Sequence, residues 1–215
     1  QYVDEGYTDV IHVPINRSGS STYNNAVMAQ GMLREERPEH HLNIHLLDPH
    51  TYSMVFGWYL CEMARKLQNG AELRHVISEF ETQMNKMEII LGPYSLKQMK
   101  KSGRISAAAA VMGELMGIRP IITLIDGKTR VESKVRGDDK VIPAMIDLCK
   151  KRTEGVEDFD YMIGHTSIPQ AAELEKACRK AFGKAPLTTF NLGGVVSANT
   201  GPDTLALVYV GKPRD

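Results

Sequence analysis

The residues best suited to chemistry sit in short polar loops between apolar segments. Asn16 to Ser21 follows the β-branched run Val10 to Pro14 and precedes a helical segment that starts near Thr22. Ser18, Ser20, Ser21 and Thr22 thus stand beside a predicted helix N-terminus. Hydroxyls and backbone N–H groups there can hold a carboxylate or phosphate. The same residue types are also ordinary helix caps, so the loop alone predicts no more than a helix start.

A second polar stretch, Ser197 to Pro202, reads as a turn joining two late strands, rich in residues that turns favour for steric reasons. Ser102, Gly103, Arg104, Ile105 and Ser106 open a very small-residue helix, Ala107 to Ala110, and Lys134 and Arg136 end a predicted hairpin. Arg104 and Arg136 lie near sheet ends, where each is a solvated surface charge or a contact for a phosphate or acidic partner. His165 follows a strand and is either a loop residue with a satisfied hydrogen bond or a base or ligand. The chain has no Gly-Lys-Ser/Thr phosphate loop, no His-Glu-x-x-His helix and no Gly-x-Ser-x-Gly elbow, which argues against a self-sufficient hydrolase or kinase.

The elements that carry these loops alternate. Val10 to Pro14 and His41 to Leu47 read as strands, and Ser53 is placed to cap a helix through Phe56, Leu60, Met63 and Leu67 that Gly70 stops. Leu73, Val76, Ile77, Phe80, Met84 and Met87 repeat at helical spacing. Strands alternating with helices imply a parallel sheet with covered faces. From Ile89 to Leu91, followed by Gly92 and Pro93, the character changes, and a domain boundary is expected there, dividing 1–92 from 93–215. Arg119 to Ile125 and Lys128 to Val135 flank Asp126-Gly127, the dipeptide of tight hairpins, so the second half contains antiparallel pairing. Further helices around Val141 to Cys149 and Leu174 to Ala181, and strands at Tyr161 to Ile163, Leu187 to Leu192 and Leu205 to Val210, complete an α/β protein of two α/β domains.

Composition narrows the class. The 215 residues carry 26 Lys plus Arg against 26 Asp plus Glu, and this zero net charge makes nucleic acid a poor partner. Cys61, Cys149 and Cys178 lie far apart on predicted helices without zinc-finger spacing, and read as reduced core thiols of a cytoplasmic protein. No apolar run approaches the roughly 20 residues that span a bilayer. The chain begins without methionine, and Tyr2 to Gly6 reads as a helix end feeding a strand, as though sequence upstream were missing.

Read in order, these segments resemble the DegV family, the fatty-acid-binding proteins that serve bacterial fatty acid kinase. The resemblance rests on Ser20-Ser21-Thr22-Tyr23; Leu47-Asp48; Ser102 to Ser106 with the alanine helix; Ile118-Arg119-Pro120-Ile121 with Asp126-Gly127; Lys134 and Arg136; Gly164-His165-Thr166; and Asn199-Thr200-Gly201-Pro202. The family's first strand and its Thr-Ser-Gln-Pro type loop have no counterpart here. Two positions depart from the family pattern. Ser21 stands where a glycine is usual, and Asn199 where a histidine is usual, so the latter can donate a hydrogen bond but not carry a charge.

The resemblance implies a first domain with a mainly parallel sheet, a second with a mixed sheet, and a ligand tunnel near their junction. It implies a non-catalytic protein without cofactor that holds one long-chain fatty acid, such as palmitate, stearate or oleate. Ser20, Ser21, Thr22, Asn199 and Thr200 would take the carboxylate, and Ile105, Ala108, Met112, Ile118 and Ile121 would line the tunnel. Arg104 and Arg136 would meet an ATP-dependent fatty acid kinase or the phosphate it transfers, with transient contact to a membrane surface. The alternatives are a ligand-free regulatory or scaffold member, and a phosphoryl- or acyl-transfer enzyme using the serine-rich loop or His165.

Overall fold

The computed structural model describes residues 1–103 and 117–213. Two sheets organise them. β1 (Asp9–His12) and β2 (Asn43–Leu46) form a two-stranded parallel sheet, linked by α1 (Thr22–Glu36). α2 (Met54–Gln68) and α3 (Leu73–Met84) lead into β3 (Met87–Pro93) and α4 (Lys97–Ser102). β4 (Ile118–Ile125), β5 (Lys128–Arg136), α5 (Val141–Arg152), β6 (Tyr161–His165), α6 (Gln170–Phe182), β7 (Thr189–Asn191), α7 (Gly193–Thr200) and β8 (Thr204–Val210) follow. The larger sheet has the order β5-β4-β3-β8-β6-β7, with a parallel pair only between β6 and β7.

The alternation of side chains along these strands builds two cores, one on each face. Ile89, Leu91, Ile122, Met162, Ala206 and Val208 pack beneath α2, α3 and α4, against Val55, Met63, Val76, Phe80 and Met99. Ile90, Ile121, Ile163, Leu205, Leu207 and Tyr209 face the other way, onto Met145 and Cys149 of α5 and Leu174 and Cys178 of α6. Ile121 and Ile122 are neighbours on opposite faces, at the point where the β4–β5 register shifts.

The expected boundary at 92/93 falls inside β3. All seven residues of this strand are buried and paired with β8, as befits the middle of a sheet covered on both faces. The Asp126-Gly127 hairpin forms as expected, both residues having positive φ, 49° and 70°.

Three local expectations are corrected. Residues 197–200 are not a turn between strands but the end of α7, whose backbone closes when Gly201 N–H donates to Ser197 O at 2.8 Å. Small apolar Val195, Val196 and Ala198 let the helix run on until Gly201, at φ 86°, redirects the chain into β8. Ser53 sits at φ 62° and makes no side-chain cap. Cys61 is exposed on α2, while Cys149 and Cys178 are the buried thiols.

Candidate functional site

The ends of β1 and β2 carry two loops that close on each other. Asn16 N–H donates to Thr51 O at 3.1 Å, and Asp48 Oδ1 accepts the N–H of His50 at 2.9 Å and of Arg17 at 3.4 Å. Asn16 Oδ1 accepts both the N–H and the hydroxyl of Ser18, at 2.7 and 2.6 Å. Ser20 Oγ accepts from the N–H and hydroxyl of Thr22, at 3.3 and 3.2 Å, which starts α1 without a side-chain cap from Ser21. Gly19 has no room for a side chain, because a Cβ there would run into the Tyr52 hydroxyl.

The hairpin turn of the larger sheet seats against these loops. His50 Nδ1 lies 2.6 Å from Asp126 Oδ1. A Cβ on Gly127 would meet Ser18 Oγ and stand 2.6 Å from Asn16 Nδ2. One polar wall of the site is therefore contributed by each sheet.

Among the described residues, four buried side-chain polar atoms have no hydrogen-bond partner, and three of them are here: Asn16 Nδ2, Asp48 Oδ2 and Thr51 Oγ1. The Arg17 guanidinium, 3.5 Å away, and the His50 ring, 3.9 Å away, face Asp48 Oδ2 without a hydrogen bond to it. Buried polar groups are nearly always bonded, so orphans concentrated in one place mark a site made for a polar group from elsewhere. Asn16 and Thr51 offer N–H and O–H donors, the chemistry that receives a carboxylate or phosphate oxygen. The position also obeys the rule that ligands of open α/β sheets bind at the carboxyl ends of parallel strands. Apolar Leu47 and Val55 flank Asp48 and Thr51 in sequence and belong to the core beneath α2 and α4.

The expected site residues separate into groups. Ser20, Ser21 and Thr22 belong to this polar cluster. Asn199 and Thr200 are at the end of α7, where the Asn199 amide donates to Val195 O at 2.9 Å and the Thr200 hydroxyl to Gly201 O at 3.3 Å. No hydrogen bond among the described residues joins them to the serine loop. Ile121 is fully buried against α5, and Ile118 is half-buried opposite Arg136, which is exposed on β5. Arg104, Ile105, Ala108 and Met112 lie outside the described residues. His165 Nδ1 accepts Ser167 N–H at 2.9 Å, so this nitrogen serves the loop and not a substrate. Sequence reading passed over His50 and Thr51. The available signal was a run of polar residues, Asp48 to Tyr52, directly after an apolar strand.

Comparison with known proteins decides the family, since the sequence profile described as "uncharacterised protein, DegV family" matches residues 1–212. This chain belongs to the DegV family. A DegV domain-containing protein of Clostridium perfringens is 30% identical over 212 residues, covering 97% of this chain and 73% of that protein. Among solved structures, a fatty acid binding DegV family protein from Streptococcus agalactiae superposes with a TM-score of 0.82 at 26% identity, covering 98% of this chain and 73% of its own. A stearic acid-binding protein from Eubacterium ventriosum has the same fold, with a TM-score of 0.85 at 22% identity over 98% of this chain and 73% of that one. The two-sheet α/β architecture of this DegV chain is thus a shared one. No described helix is long and apolar enough to cross a membrane.

Proposed function

We propose that this DegV protein binds one long-chain fatty acid, with its carboxylate at the loops after β1 and β2 and its tail in a tunnel running from the domain junction into the core beneath α2 and α4. The carrying observation is the trio of orphaned polar atoms, Asn16 Nδ2, Asp48 Oδ2 and Thr51 Oγ1, beside the Ser18 to Thr22 hydroxyls. Asn16, Thr51 and Ser20 bond the carboxylate oxygens. Asp48, already facing Arg17, orients the loop or shares a proton with the ligand carboxyl.

Energetics suit this division of work. Burial of an acyl chain is worth about 0.8 kcal/mol per CH₂, so a chain of about sixteen carbons contributes on the order of 10 kcal/mol before ordering costs. The head group then has only to avoid unpaired burial, which neutral donors accomplish. The protein itself performs no chemistry. It presents the carboxylate to an ATP-dependent fatty acid kinase, which Arg136, exposed on β5, and Arg104 contact.

Mass spectrometry of an organic extract of the protein, purified from a bacterial host, tests the reading. A near-stoichiometric long-chain fatty acid is expected, and its amount falls severalfold in Thr51→Val. Well-folded protein that carries no lipid and takes up none from added oleate overturns it. Arg136→Ala is expected to keep the lipid while slowing acyl phosphate formation with the kinase; loss of lipid in that variant would contradict the assigned role.

A further inference from the structure

The fourth orphaned atom, Tyr59 Oη, lies elsewhere. It belongs to a cleft of about 540 Å³ bounded by α2, α3 and the chain entering β6 and β7. Such a volume is that of a small-molecule site. Its apolar lining is Trp58, Met63, Phe80 and Leu187. Its charged lining is Glu62, Glu79 and Asp160 with Lys66 and His75. Glu62 pairs with Arg65 and Glu79 with Lys66, whereas the ion pair of Asp160 is a long one, 4.0 Å to Lys184, which leaves its carboxylate the most available. Lys66 is already bound to Glu79 at 2.5 Å, so its ammonium is not open to an anionic ligand.

We propose that this cleft is a second ligand site, separate from the carboxylate loops, that takes a small cationic amphiphile: an aromatic or compact apolar body carrying one ammonium group. The body lies against Trp58 and Phe80, where an indole face also attracts a cation. The ammonium lies between Asp160 and Tyr59, pairing with the carboxylate and donating to the phenol oxygen. Burial, with the Asp160 charge adding to it, pushes the Tyr59 hydroxyl well above the usual tyrosine range, so it stays a neutral group able to accept that bond. A fatty acid carboxylate meets the opposite situation here, a like charge at Asp160.

Trp58 is the one tryptophan of the chain, so its emission reports on the cleft directly. Titration of the whole protein with phenethylammonium is expected to give a saturable change in Trp58 fluorescence. Phenylethanol and 3-phenylpropanoate, of similar shape but neutral and anionic, should bind at least tenfold more weakly. Asp160→Asn should weaken phenethylammonium about tenfold and Tyr59→Phe severalfold, with co-purified lipid unchanged in both. Equal response to the neutral or anionic probe, or no response at all, overturns the proposal on the unaltered protein, whatever the variants do. Displacement of phenethylammonium by oleate would also overturn it, by assigning the cleft to the fatty acid, and would leave the reading of the carboxylate loops standing.

Discussion

Gly127 has two reasons to be glycine, and they are separable. Its φ of 70° costs an L-residue about 1–2 kcal/mol. A Cβ would in addition press on Asn16 and Ser18, at the seam between the two sheets. Gly127→Ala is therefore expected to lower the thermal unfolding midpoint and, unlike a simple turn defect, to reduce retained lipid by displacing Asn16. A purely local effect would lower the midpoint and leave lipid stoichiometry intact. Glu88 illustrates the opposite use of a polar residue. It is buried, takes both Arg152 and the Tyr209 hydroxyl, and so fastens the end of α5 to the middle of the sheet.

Helices α2, α5 and α6 each carry one cysteine, and their packing dictates different reactivity. Cys61 faces solvent, whereas burial pushes the Cys178 thiol up to about 12 and raises that of Cys149 as well. A thiol reagent at pH 8 should label one cysteine rapidly in the native protein and three after denaturation; rapid labelling of two or more in the native state would show α5 or α6 to be loosely packed. The N-terminus of α3 depends on Glu72, whose carboxylate accepts the N–H groups of Arg74 and His75 at 3.0 and 2.8 Å. Those bonds hold its carboxyl below the usual 4.5. A depressed value in the folded state stabilises above pH 4.5 and is lost as pH falls through it. Glu72→Gln should accordingly lower the melting temperature at neutral pH, with the difference shrinking below pH 4.5.

Most of these elements were legible because periodicity reports burial. Alternating or continuous apolar runs located the eight strands to within two or three residues, and Asp126-Gly127 fixed one hairpin outright. The end of α7 was misread because Ser, Asn and Thr are turn formers by local preference, while Val195 and Val196 gave too short a pattern to outvote them. At the site, the serine loop was visible from its hydroxyls. Thr51 was not, since its importance comes from being buried without a partner, a property of packing that no spacing encodes. His50 was hidden for a related reason: its partner, Asp126, is 76 residues away in sequence.

His50 with Asp126 is a polar link that joins the two sheets of the molecule. Asp126→Asn keeps a residue that tolerates positive φ but removes the charge facing His50. Amide exchange in residues 16–20 and 48–53 should quicken in this variant while β3 and β8 stay protected. Equal protection in both proteins would show that the seam is held by apolar packing alone.

The position of β8 between β3 and β6 has a consequence for how the chain is made. Residues 87–93 find their second partner strand only at 204–210, so the central ladder closes over more than a hundred residues of intervening chain. During synthesis, the β3-β4-β5 meander and the β6-β7 pair emerge as separate pieces, each with an open edge and apolar faces uncovered. Contacts this distant slow folding and expose such intermediates to aggregation. Only when residues 204–210 have left the ribosome and paired with β3 and β6 does either core acquire its full set of walls.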